Sequence, residues 1–283
     1  MKISRNLQQR LLYGSIGVAL LAVAIALAHH PFYRWLFILL CLVMICGALW
    51  EFYRIAKEKE YLPLSKIGVI STAAYVLAFY YSTQYTLLYP LPPAVLASTL
   101  VAAFVYYFIK GTDPFVNLAL TLFGIFYLTV PLTTALGIVY FPYAEGQWWF
   151  VYALAVTKAT DMAAYAFGKL WGSNQLSPYI SPKKTWEGAL GGFAAALAVS
   201  FLLNRLVPLG LSDGGSLILG ALTSALAQFG DLAESLLKRD GGVKDSNAQF
   251  PGLGGLLDVL DSLVFTLPFI YLFLMFYYGW GDS

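Results

Sequence analysis

Asp231 and Glu234 stand three residues apart, Lys238 follows one turn later, and Asp258 and Asp261 repeat the three-residue interval downstream. On a helix that interval brings side chains to one face, so two helix ends present paired carboxylates with a lysine close by. Carboxylate oxygens are hard ligands suited to a divalent cation. The stretch between them, KRDGGVKDSNAQFPGLGG, contributes Lys238, Arg239 and Lys244 as cations for phosphate oxygens. Its glycines at 241, 242, 252, 254 and 255 let the backbone approach a ligand closely. A second run, SPYISPKKTWEGALGG from Ser177 to Gly192, adds Lys183, Lys184 and Thr185. Metal-binding acids, phosphate-binding lysines and permissive glycines together suit phosphoryl or nucleotidyl transfer. Singly, each has a plainer explanation: lysines in cytoplasmic loops follow from topology and glycines at helix ends from capping. The acids are different, because four carboxylates near two membrane helix ends repel one another without a cation.

The elements that must position these residues are hydrophobic. Of 283 residues 59% are hydrophobic and 11% charged, and the mean hydropathy is +0.70, outside the range of soluble domains. Apolar runs long enough to cross a bilayer core of about 30 Å recur along the chain. The expected fold is an all-α polytopic integral membrane protein with about nine transmembrane helices, at roughly 11–28, 31–50, 67–82, 92–109, 115–140, 147–168, 188–207, 215–236 and 255–278. It reads as a single membrane domain, residues 1–146 supplying hydrophobic spans and 147–283 the catalytic half. The basic N-terminus and first apolar run resemble a signal peptide, but the run is longer than a signal core and reads as an uncleaved helix.

Sidedness follows from charge. With the N-terminus inside, 14 of the 17 Lys and Arg residues fall in cytoplasmic segments, which places the candidate site at the cytoplasmic helix ends of the C-terminal half. A net charge of +2 without a basic, aromatic-interleaved stripe excludes nucleic acid as a partner. Cys41 and Cys46 lie together in one apolar segment and read as small hydrophobes. His29 and His30, the only histidines, are adjacent at a span end and make no metal site of helical spacing. Lys158 and Asp161, inside the sixth expected span, are spaced to pair with each other.

The stretch SLLKRDGGVKDSNAQFPGLGGLLDVLDS, Ser235 to Ser262, resembles the C-terminal signature of the phosphatidate cytidylyltransferase (CDP-diacylglycerol synthase) family. GDLAES just upstream, SPKKTWEG at Ser181–Gly188 and TDMAAYAFGK at Thr160–Lys169 are similar to further family segments. The resemblance covers about 110 residues in order, and the N-terminal half matches only as hydrophobic spans. It implies cytidylyl transfer from CTP to phosphatidate with Mg²⁺ as cofactor, in the bacterial inner membrane with N-terminus and active site facing the cytoplasm, and a homodimer as the assembly. On that reading Asp231, Asp258 and Asp261 are the catalytic metal ligands, with Lys238 catalytic beside them. Lys183, Lys184, Thr185, Arg239, Lys244, Asp245, Ser246 and Asp161 bind substrate, and Glu234 is a secondary candidate. Leu253 stands where the family usually has His and Val259 where it usually has Arg. Lys158 is expected to supply part of the missing positive charge. The alternatives are a CTP-using polyprenol kinase, a cytidylyltransferase acting on another lipid phosphate, an ion transporter and an inactive homologue. A transporter calls for polar residues through the full depth of several spans, whereas these acids gather toward one side.

Overall fold

The computed structural model describes residues 5–111, 113–243 and 255–279, with side chains from residue 15 onward. In chain order the helices are α1 (Arg5–Ala26), α2 (Arg34–Glu58), α3 (Ser65–Gln84), α4 (Leu91–Lys110), α5 (Pro114–Gly124), α6 (Val130–Val139), α7 (Gly146–Trp171), α8 (Trp186–Leu206), α9 (Asp213–Asp240), α10 (Leu256–Leu260) and α11 (Leu263–Gly279). A five-residue π turn, Ile125–Thr129, joins α5 to α6 just before Pro131, which has no N–H to donate to a helix. The protein is thus an all-α polytopic membrane protein. Its one departure among the described residues is a hairpin of β1 (Gln175–Ser177) and β2 (Ser181–Thr185), antiparallel with Gln175 opposite Thr185 and Ser177 opposite Ser181.

Six helical stretches among the described residues are long and apolar enough to cross a bilayer: Arg34–Glu58, Thr86–Lys110, Pro114–Val139, Trp186–Leu206, Asp213–Asp240 and Leu256–Gly279. The other three expected spans correspond to α1, whose described apolar part is the shorter Ser15–Ala26, and to α3 and α7. Helices α3 and α7 have the length, with 20 and 26 residues, but Ser, Thr, Tyr and Lys dilute their apolarity.

The described residues fall into two compact units. The first comprises the chain up to Tyr140 together with described residues of 240–260; the second comprises 141–239 together with those from Asp261 onward. In the first unit α2 and α3 pack against each other and against the α5–α6 helix. Polar side chains join them where no water competes: Thr72 Oγ1 lies 2.7 Å from Thr129 Oγ1, and the Tyr53 hydroxyl donates to the Thr121 carbonyl at 2.7 Å. The α2–α3 connection is pinned by Leu62 N–H donating to Asn117 Oδ1 and Leu64 N–H donating to Thr121 Oγ1.

In the second unit α7 and α8 are neighbours separated by glycines. A Cβ at Gly188 would lie 2.6 Å from the Ala164 carbonyl oxygen and 3.1 Å from Gly168 Cα, and one at Gly192 would lie 2.8 Å from the Thr160 carbonyl oxygen. Small residues at such a contact let two backbones approach and gain dispersion energy, which is the main attraction available between helices in lipid. Tyr152 on α7 then reaches Ser200 Oγ on α8 at 2.7 Å, and that hydroxyl donates to the Ser216 carbonyl on α9. Three helices are held in register by one buried chain of hydrogen bonds.

Gly188→Val should therefore force α7 and α8 apart and destabilise the protein by about 1–3 kcal/mol. The measurement is the midpoint of thermal unfolding in detergent. Gly214→Ala, where an added Cβ meets nothing within 4 Å, should leave that midpoint unchanged.

Candidate active site

The acids and lysines of the second unit lie where α7, α9, β2 and the start of α11 come together. Glycine makes the approach possible. A Cβ at Gly230 on α9 would fall 2.6 Å from the Asp261 carbonyl oxygen and 3.1 Å from Ser262 Cα. With hydrogen there instead, α9 packs directly on the non-helical Asp261–Ser262 pair that precedes α11, and the next residue, Asp231, comes within electrostatic range of Asp261. Asp161 on α7 interacts electrostatically with both. Three carboxylates from three elements thus share one region of the unit.

Each is held by a defined partner. Lys184 Nζ, withdrawn from solvent, lies 2.8 Å from Asp231 Oδ2. Lys158 Nζ lies 3.2 Å from Asp161 Oδ2 and 3.3 Å from Ser262 Oγ. The Ser262 hydroxyl is placed to donate to Asp161 Oδ2 at 2.8 Å or to Asp261 Oδ1 at 3.1 Å. It carries one proton, so it serves one carboxylate at a time, while the Ser262 backbone N–H donates to Asp261 Oδ1 at 2.6 Å. Ser262 therefore bridges two acids and a lysine. The sequence reading assigned it no role, although it closes the family signature. The pairing expected between Lys158 and Asp161 is present.

The hairpin sorts the two adjacent lysines. Side chains alternate across a strand, so Lys184 turns toward Asp231 while Lys183 is exposed. Thr185 is the N-cap of α8, its Oγ1 accepting from the Gly188 N–H at 3.2 Å. Glu187, in the first turn of α8, accepts from Asn174 N–H at 3.2 Å and from Asn174 Nδ2 at 2.7 Å, tying the hairpin entrance to the helix. At the other end Arg239 Nε donates to the Ile180 carbonyl at 3.3 Å.

Lys238 is engaged by Glu234 one turn before it, Nζ to Oε2 2.8 Å, with the glutamate side chain 1% exposed. Asp258 belongs to the first unit. Its carboxylate turns back on its own helix, accepting from the Gly255 N–H at 2.9 Å, the reach-back half of a capping box. Lys244, Asp245 and Ser246, with Leu253, lie outside the described residues.

These donors fit magnesium. Mg²⁺ takes oxygen ligands and is commonly held by one or two carboxylates completed by water and substrate phosphate, and Asp231, Asp261 and Asp161 are oxygen donors within electrostatic range of one another. Among the described residues no three His, Cys, Asp or Glu side chains gather tightly enough to enclose a metal by themselves, so a metal here needs ligands from water or phosphate.

The sequence profile of the Cytidylyltransferase family matches residues 8–277. The chain belongs to this family. It is 34% identical to the phosphatidate cytidylyltransferase of Chlamydia pneumoniae over 248 residues, 81% of this chain and 80% of the relative. It is 46% identical to that of Brucella suis over 123 residues, 44% of this chain and 45% of the relative. Over 139 residues it is 39% identical to the Haemophilus influenzae enzyme of the same name, 48% of each chain. The match extends across the N-terminal hydrophobic half.

Ser262→Ala should remove the hydroxyl shared by Asp161 and Asp261 and leave the backbone N–H to Asp261 intact. The expected outcome is a fall in turnover of about tenfold, the order of one charge-assisted hydrogen bond, with helical content by circular dichroism unchanged. Lys158→Met should cost at least as much, because it strips the cation from Asp161.

Proposed function

We propose that the protein transfers the cytidylyl group of CTP to phosphatidate, forming CDP-diacylglycerol and releasing pyrophosphate. The observation that supports this most directly is the family match across residues 8–277, taken with the acid–lysine cluster around Asp231, Asp261 and Lys184.

The chemistry requires little proton transfer. A phosphomonoester has its second pKa near about 6, so the phosphatidate phosphate is largely dianionic at neutral pH and one of its oxygens is the nucleophile. A bond forms from that oxygen to the α-phosphorus of CTP as the bond from α-phosphorus to the bridging oxygen of pyrophosphate breaks. A reaction without a strong general base tolerates a chain with Leu253 in place of histidine. Catalysis then comes from alignment and from neutralising charge on the triphosphate.

The residues divide that work. Asp231 and Asp261, joined by Asp258 from the signature, are the residues that would hold Mg²⁺, with Asp161 and Glu234 as secondary candidates. When bound, the ion neutralises phosphate charge and favours departure of pyrophosphate. Lys183 is exposed on the neighbouring strand position and open to phosphate oxygens, while Lys184, paired with Asp231, would be freed for them by an ion held at Asp231. Arg239 and Lys244 serve the same triphosphate or the lipid phosphate, Lys238 is the cation beside the metal-binding acids, and Asp245 and Ser246 orient the nucleotide. CTP arrives from water and phosphatidate from the bilayer, which suits helix ends on the cytoplasmic face of a bacterial inner membrane. A homodimer is the assembly the family resemblance implies.

The decisive assay uses purified protein, phosphatidate and Mg²⁺ with CTP labelled at either the α or the γ phosphate. α label should enter lipid and γ label should leave as pyrophosphate; γ label in lipid would make the protein a kinase instead. Chelation of Mg²⁺ should abolish turnover. Asp231→Asn should lower it by at least about a hundredfold while the protein still inserts into membranes, and appreciable residual activity would remove Asp231 from the metal site.

A further inference from the structure

Glu51 is the acid that the N-terminal hydrophobic half keeps inside: it lies on α2, 2% exposed, between Trp50 and Phe52. A carboxylate there is costly unless strongly hydrogen-bonded. Its Oε2 accepts from the Leu257 backbone N–H at 2.9 Å, across 206 residues of sequence. One turn earlier on the same face of α2 is Gly47, where an added Cβ would collide with Leu256 Cδ1. Together Gly47 and Glu51 form a seat for α10, the glycine giving room for Leu256 and the glutamate holding the next backbone N–H.

Helix α10 needs that seat. Five residues are far too few for an independent helix, and a helix N-terminus leaves backbone N–H groups without intrahelical partners. Two are satisfied by side chains: the Gly255 N–H by Asp258 and the Leu257 N–H by Glu51. Burial of Leu257 and Leu260 holds α10 on the unit but is non-directional. The Glu51 bond is directional, and it fixes the turn of α10 on which Asp258 lies.

We propose that Glu51 is a positioning residue for cytidylyl transfer, acting through the Leu257 N–H to set the placement of Asp258. This rests on Asp258 belonging to the reaction centre, as proposed above. The carboxylate acts by accepting a hydrogen bond, not by touching substrate, so an amide oxygen of the same reach should replace it.

The test compares Glu51→Leu with Glu51→Gln in the full-length protein, by steady-state kinetics and by amide hydrogen exchange of the peptide covering 255–260. E51L should exchange faster in that peptide and lose about tenfold or more in kcat, with KM for CTP within about twofold of the parent; E51Q should stay close to the parent in both. Peptides from α7 and α8 should exchange at parental rates in all variants. Should E51L fail to accumulate, E51D keeps the charge, shortens the reach by one methylene and should show the same two effects. Unchanged exchange at 255–260 in E51L, or faster exchange with unchanged kcat, overturns the proposal. Asp258→Asn measured alongside separates the failures: an active D258N removes the reading on which the proposal rests, whereas an inactive D258N beside a fully active E51L removes Glu51 alone.

Discussion

Acidic side chains in an apolar bundle must be compensated, and the second unit is arranged around that requirement. Asp231 is matched by Lys184, Asp161 by Lys158 and Glu234 by Lys238. The three lysines come from a hairpin strand, a long helix and the helix that carries two of the acids. Removing Lys238 would leave the buried Glu234 as a bare charge in low dielectric and cost far more than loss of an exposed pair, while the half-buried Lys184–Asp231 and Lys158–Asp161 pairs lie between those limits. Two of these pairs close within one helix, whereas Asp231 is satisfied only when the hairpin is docked on α9, and Asp161 and Asp261 share Ser262 only when α7 meets the start of α11. Electrostatics thereby couples elements that hydrophobic packing alone would leave free to slide. The same pairs suit the proposed reaction: a divalent ion held by one of these carboxylates would leave the lysine beside it available to a phosphate oxygen.

Close backbone approach is the second requirement, and glycines meet it at particular points. Gly230 brings α9 onto the Asp261–Ser262 pair, and Gly188 and Gly192 bring α8 onto α7. A methyl group at any of them would move a carboxylate or its lysine by a sizeable fraction of an ångström, and electrostatic preorganisation is sensitive to displacements of that size. These glycines share a face at helical spacing or adjoin an acid, so their task is to set distances between helices, not to free the backbone. Only Gly210 and Gly242 among the described glycines adopt a positive φ.

Much of this was legible in the sequence, for identifiable reasons. Hydropathy locates helices because the bilayer imposes their length, and it blurs at α3 and α7, where hydroxyls, tyrosines and lysine serve helix contacts and the site. The three-residue spacing of Asp231 and Glu234 marked a shared helix face, yet their partners differ, since Lys238 closes on Glu234 and Lys184 arrives from elsewhere. The hairpin was not legible, because SPKKT has no alternation of apolar and polar residues and pairs with only three residues. Nor was the interruption at Asp261–Ser262, which lies in an apolar run without Gly or Pro to announce it. Asp258 looked like one half of a metal-binding pair, and in the first unit its carboxylate also caps α10. Glu51 sat beyond local pattern altogether: its partner is a backbone N–H, which no sequence displays.

Asp161 and Asp261 in the second unit are served by one lysine through two kinds of contact. Arginine offers a rigid planar fork suited to a carboxylate in one orientation, whereas lysine is a compact point charge on a flexible stem. Lys158 uses that flexibility, its single ammonium group lying within 3.3 Å of both Asp161 Oδ2 and Ser262 Oγ. Ser262 in turn reaches Asp261, so positive charge delivered to α7 is relayed to an acid at the start of the last helix through one hydroxyl. The arrangement is less directional than a bidentate arginine and depends on the serine for contact, because without its hydroxyl Lys158 would act on Asp261 only through space, leaving the Ser262 backbone N–H as the hydrogen bond to that carboxylate.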